Sequence, residues 1–284
     1  MDICTNLFSP FKRINMSSNI STRILFYSSF IIAVLVSVAC TGGIMLPGIY
    51  YKESVSWATQ GIGQDIVTLG LAVPALLFSA LYLGRSLRAK LVWMGVLTYL
   101  IYSYLLYAFY IHFGVMFPVY IAILGLSFYT LLAGISKIDK SKLPQSFVGV
   151  KTMPVAAFLF LFAFLFSALW ITDIAQSIFS GIAPESVMEA ELPVNPVHVL
   201  DLSFLLPGMM LTAVFLWKRK PLGFLFASAM LTFSALMGSA IILMQYLLEN
   251  KGVSEPSPVG TIMGIMVLIS VYLLYYLLKD MEEP

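Results

Sequence analysis

Long apolar stretches separated by short polar ones recur along the whole chain, and eight reach the roughly 20 residues that a helix needs to span a bilayer. They run Ile24–Leu46, Asp65–Gly84, Leu91–Ile111, Val115–Ile135, Pro154–Gln176, Val199–Trp217, Pro221–Leu248 and Val259–Leu278. Hydrocarbon offers a backbone N–H or C=O no partner, so each stretch is expected to close its hydrogen bonds internally as an α-helix. The fifth contains FLFLFAFLF, whose alternation suggests a strand. Every position in it is apolar and the run is too long for a strand, so helix is expected there too. The seventh is the longest and is expected to tilt or to end beyond the membrane.

A second pattern lies over the first. DIVTLGLAVPALLFSALYLGRSLRAK, Asp65–Lys90, and NPVHVLDLSFLLPGMMLTAVFLWKRKP, Asn195–Pro221, each place an acid, then a proline, then a basic terminus. Each belongs to a group of four helices with a long loop after the first helix and a short basic turn after the second. The chain therefore divides into a tail (1–23), a first four-helix repeat (24–135), a linker (136–153), a second four-helix repeat (154–278) and a short tail (279–284). An even number of crossings per half makes the repeats parallel. The match is imperfect, since Asp65 precedes Pro74 by nine positions and Asp201 precedes Pro207 by six.

Charge fixes the orientation. With the N-terminus inside, only Lys52 and Lys251 of the 16 Lys and Arg residues stand outside, which is the excess of cytoplasmic cations that membrane proteins favour. Both termini are thus expected in the cytoplasm, with the chain in the cell membrane and the bilayer as its first partner. Composition agrees: 60% hydrophobic and 11% charged residues, with a mean hydropathy of +0.93, lie far from the soluble range. Cys4 and Cys40 fall on opposite sides of this arrangement and cannot pair. Ser37-Val38-Ala39-Cys40 faintly resembles a lipoprotein processing site, against which stands an uncleaved first helix ending in small residues. Met16 is an alternative start.

Candidate chemistry is sparse. Asp65 and Asp201 open equivalent helices, where exposed N–H groups and the macrodipole favour a negative charge, so helix capping accounts for both without a ligand. Asp173 lies toward the C-terminal end of its helix, where the dipole opposes it, and needs water, a cation or a neighbour such as Gln176. Were the three acids to converge, they would form an outward-facing site for a proton, a metal ion or a cationic solute. Pro74 and the Pro207-Gly208 pair break their helices as transporters do beside binding sites, although kinks also occur without function. Tyr99, Tyr102, Tyr104, Tyr107 and Tyr110 give the third helix a hydroxyl-bearing face, expected to look into the bundle or a wet cavity. His112 and His198 are expected at the outer boundary, and His198 shares a face with Asp201 if the helix contains both. Two histidines are too few to specify a metal or haem site.

No Walker loop, GxGxxG, HExxH, CxxC or GxSxG occurs in the chain, and no basic, aromatic-interleaved surface for nucleic acid. No cofactor is called for, and no nucleophile–base arrangement suggests an enzyme. The segments DIVTLGLAVPALL, RSLRAKLVWMGVLTYLIYSY, NPVHVLDLSFLLPGMM and RKPLG resemble a family of uncharacterised prokaryotic multi-pass integral membrane proteins. That resemblance covers most of the membrane portion and implies a shared fold, with no activity and no site residue. Two functions remain as expectations. One is a small-solute or ion permease with an outward cavity lined by Asp65, Asp173, Asp201, His198 and tyrosines. The other is a non-catalytic sensor or assembly partner, with a homo-oligomer as one form of it, using small-residue faces: Gly223, Ala227, Ala235 and Ser239 on the seventh helix, Gly260 and Gly264 on the eighth.

Overall fold

The computed structural model describes residues 9–283, with side chains from Thr22 onward. Cys4 lies outside the described residues, and so do the side chains of the N-terminal tail before Thr22, including that of Met16. No strand occurs among the described residues. Among the described residues, eight helices are long and apolar enough to cross a membrane: α1 (Thr22–Met45, continuing a helix that begins at Ser9), α2 (Val55–Leu81), α3 (Leu87–Tyr110), α4 (Phe117–Ser136), α5 (Met153–Ser180), α6 (Pro196–Trp217), α7 (Pro221–Asn250) and α8 (Val259–Lys279). The chain is an all-α, multi-pass membrane protein. Because the count is even, the described chain begins and ends on the same side of the bundle, called here the tail end; the opposite side is the far end.

Several helix starts differ from those the hydropathy pattern gives, and polar capping explains why. Ser54 accepts the Trp57 N–H at 3.1 Å and starts α2 ten residues before Asp65. Asn195 accepts the N–H groups of Val197 and His198 and starts α6 at Pro196. Hydropathy misses the first turns of α2 because WATQGIGQ is polar; the bundle supplies the partners that lipid would not, and Gly61, Gly63 and Gln64 are all buried. Asp65 is consequently the eleventh residue of its helix and Asp201 the sixth of its own. Both lie past the first turn, so neither is a helix cap; Ser54 and Asn195 are. α1 runs unbroken through Cys40, which is buried.

α3 and α7 form the centre, each with 61% of its span buried, against 22% for α5 at the periphery. They cross closely where α3 carries no side chain: a Cβ on Gly95 would collide with Thr232 and stand 2.8 Å from the Ala229 carbonyl oxygen. α2 meets α7 in the same way, at Gly63 against the Met244 backbone. α1 and α4 pack on the α2–α3 side, α6 and α8 on α7, and α5 mainly on α6. At the tail end the last residues return to the bundle. The Glu283 carboxylate accepts from the Ser86 hydroxyl at 2.7 Å and the Leu87 N–H at 2.6 Å, at the start of α3, while Arg88 donates to the Met281 carbonyl.

α2 and α6 share a local irregularity. In each, one turn is widened so that an N–H reaches back five residues, Val73 to the Thr68 carbonyl and Leu206 to the Asp201 carbonyl. A proline follows directly in both, Pro74 and Pro207, where the missing N–H rules out the next ordinary helical bond. Pro74 and Pro207 both lie on the exposed surface of the bundle.

Candidate functional site

The helix assignments leave a cavity of about 560 Å³ between α2, α3, α5, α6, α7 and α8. It begins at the far end beside Trp57, Glu185, Asn195 and Gln245 and reaches Phe162, Leu206 and Ser234 within the bundle. Its charged lining residues are Asp173, Glu185 and Asp201; no lysine or arginine borders it.

Asp201 is the anchor of its polar wall. Its carboxylate accepts from the Tyr102 hydroxyl of α3 at 2.8 Å on Oδ1 and from the Trp170 indole N–H of α5 at 2.9 Å on Oδ2. Three helices thus meet at one carboxylate that is only 7% exposed. The widened turn of α6 starts at Asp201 itself, next to the cavity. One turn toward the far end, His198 Nε2 stands 3.5 Å from Asp173 Oδ2, and its ring lies 4.6 Å from that of Trp170. Trp170 and Asp173 are three apart on α5, as are His198 and Asp201 on α6, so two adjacent helix faces interlock. Asp173 finds its neighbour in His198 rather than in Gln176.

Below this polar wall the lining is aromatic and sulfur-rich. Phe162, Phe166 and Trp170 line the cavity as part of a ladder that Phe158 continues beyond it, one ring every four residues along α5, with successive ring centroids 6.0, 4.6 and 6.1 Å apart. Phe233 of α7 faces them from the other side and packs edge-on against Tyr102 at 5.3 Å. Met237, Met244, Met263 and Met266 complete the wall. Ser234 borders the cavity, is 5% exposed, and its hydroxyl has no hydrogen-bond partner.

The structure does not bring Asp65 to this cavity. Asp65 is 1% exposed and held inside the first half by the Tyr50 hydroxyl at 2.6 Å and the Tyr107 hydroxyl at 3.0 Å. Gly43 makes room for it; a Cβ there would collide with the Asp65 carboxylate and stand 2.8 Å from the Tyr50 hydroxyl oxygen. Burial pushes the Tyr50 hydroxyl well above its ordinary value, with the neighbouring Asp65 adding to the shift, so Tyr50 stays a donor. Tyr107 stands between Asp65 and the cavity, which it lines.

The tyrosine face of α3 looks into the bundle, and its members part ways there. Tyr102 and Tyr107 border the cavity; Tyr99 lies deeper, 2.8 Å from both Gln64 Nε2 and Thr68 Oγ1. Tyr110 contributes its carbonyl, which accepts from the Trp57 indole at 3.0 Å. His112 is away from the cavity, at the far end, with its Nδ1 3.0 Å from Glu53 Oε2. Pro74, Pro207 and Gly208 do not line the cavity, and the carbonyls that the prolines leave without an ordinary helical donor, on Gly70 and Ser203, belong to exposed residues. No set of three or more metal-ligating side chains forms among the described residues.

Sequence reasoning passed over Trp170, Gln64 and Ser234. The four-residue spacing of Phe158, Phe162, Phe166 and Trp170 was the available signal for the first; nothing local marks the other two. Compared with protein-family models, with curated proteins and with solved structures, the chain finds no match in any of the three.

Proposed function

We propose that the chain is a carrier of the cell membrane that takes a small solute into the α2–α8 cavity from outside, with both termini in the cytoplasm. One observation carries the proposal: a cavity of about 560 Å³, the size of an ordinary ligand pocket, reaches into the bundle and places a buried carboxylate where three helices meet. Buried acids within membrane spans are costly and usually functional. Lysine and arginine distribution supports the orientation, since Lys52 and Lys251 belong to far-end loops while the tail-end loops are basic.

The widened turns support an internal duplication and correct its register. Thr68 precedes Pro74 by the same six positions that separate Asp201 from Pro207. Aligned on these breaks, Asp201 corresponds to Thr68 and His198 to Asp65, so the two acids are not counterparts. Halves related about an axis along the membrane normal suit alternating access, and of the two breaks the α6 turn at Asp201 adjoins the cavity. The test is flux of candidate solutes into proteoliposomes. Wild-type flux that falls at least tenfold in Asp201→Asn is expected; unchanged flux in that variant removes Asp201 from the transport path.

A second reading, an assembly partner in the membrane, has one observation in its favour. A Cβ on Gly260 or Gly264 would meet nothing within 4 Å, so among the described residues no helix packs closely on that GxxxG face. Dimers detected by cross-linking in membranes and lost in Gly264→Leu would support it.

A further inference from the structure

We infer that the solute is an amphipathic organic cation, a single positive charge on an apolar body; this rests on the carrier reading above and specifies its cargo. The charged groups at the cavity are carboxylates alone, which repels anions and leaves a buried negative charge for a cation to meet. A hydrated metal ion is a poor match. Calcium or magnesium requires about six oxygen ligands, whereas each Asp201 oxygen already accepts a hydrogen bond and no cluster of three ligating side chains exists among the described residues.

An alkyl- or aryl-substituted ammonium or phosphonium makes no such demand. It needs a carboxylate within reach and electron-rich rings around its body, and Trp170 and Tyr102 line the cavity beside Asp201. The rest of the cavity suits an apolar body: the α5 ring ladder on one side, Phe233 and flexible methionine side chains on the other. Methionine adapts to varied shapes, so a range of bodies should be accepted. Asp173 is 39% exposed and faces His198, leaving Asp201 as the one deeply buried carboxylate of the cavity, which fixes the preferred charge at one. Ser234, buried and without a partner, offers its hydroxyl to a polar substituent of the ligand.

The test uses the purified full-length chain in detergent, titrated with tetraphenylphosphonium, its anionic counterpart tetraphenylborate, neutral triphenylphosphine oxide, and calcium. Trp57 and Trp170 line the cavity, so quenching of indole fluorescence reports occupancy beside the thermal midpoint. Saturable binding of tetraphenylphosphonium is expected, at least tenfold tighter than either counterpart and weakened at least tenfold in Asp201→Asn. Exposed Asp139→Asn should leave it unchanged. Equal or tighter binding of the anion, the neutral compound or calcium overturns the inference, and so does undiminished phosphonium binding in a folded Asp201→Asn. If that variant does not fold, the comparison among the four probes on the wild-type chain decides alone. Binding in detergent without flux in liposomes would sink the carrier reading and keep the ligand class; flux of another solute without phosphonium binding would do the reverse.

Discussion

At the scale of single residues the two buried aspartates are stabilised in the same manner, by hydroxyl or indole donors instead of cations, and they differ in what lies beyond the donors. Tyr50 and Tyr107 close Asp65 into the first half, whereas Tyr102 and Trp170 hold Asp201 at a cavity wall. Trp170→Phe keeps an aromatic side chain but removes the indole N–H along with part of the ring, so a loss of at least about 1.5–3 kcal/mol is expected, the usual worth of a hydrogen bond to a charged group. Denaturation of the detergent-solubilised protein measures it. Gly43→Ala should destabilise by about 1–3 kcal/mol through overpacking against Asp65 and Tyr50. If the collision with the Tyr50 hydroxyl is the cause, Tyr50→Phe added to Gly43→Ala should restore part of the loss; a purely additive double variant would contradict it. The raised Tyr50 value has a consequence of defined sign. Its contribution to stability is present below the unfolded tyrosine value of about 10 and is lost as pH rises above that, which Tyr50→Phe should abolish in an alkaline unfolding series. The sequence announced that the tyrosine face of α3 would be turned inward, because lipid leaves hydroxyls nowhere else to go, but in it Asp65 and Asp201 read as helix caps. It could not announce which acid meets which ring, since Tyr102 and Asp201 are 99 positions apart and no local rule links them.

At the scale of elements the apolar pattern located all eight helices, and the errors fall at their polar ends. α2 begins at Val55 because Ser54 caps it and because its first turns pack against α7, a circumstance that hydropathy cannot register. The same holds at α6, where Asn195→Ala should cost about 1 kcal/mol by leaving the Val197 and His198 N–H groups unpaired. That variant also releases the Asn195 contact with Ser186 at the cavity mouth, so ligand binding should weaken beside stability. The prolines gave notice of breaks at Pro74 and Pro207. They did not give the widened turns, which need the Val73 and Leu206 N–H groups to reach one residue further back than usual. Nor did they give the place of the freed carbonyls, which belong to exposed residues outside the cavity lining, Gly70 and Ser203.

At the scale of the molecule, α3 and α7 form an axis of close backbone contact, and the remaining helices sit around it with α5 least constrained. A cavity bordered by the least-packed helix lies where the structure can change at lowest cost, since regions with few buried contacts open first. The cavity begins at the far end, and charge supplies the expectation of where that end lies: tail end in the cytoplasm, far end outside. Single cysteines introduced at the two ends, in a chain whose Cys4 is replaced by serine, examine this directly. Ser254→Cys, in the far-end loop between α7 and α8, should react with a membrane-impermeant maleimide in intact cells. Ser141→Cys, in the tail-end segment between α4 and α5, should react only after the membrane is opened. Cys40 is buried and should stay silent in both. The reverse labelling pattern would turn the cavity toward the cytoplasm and, with it, make the carrier an exporter that loads its cation from inside.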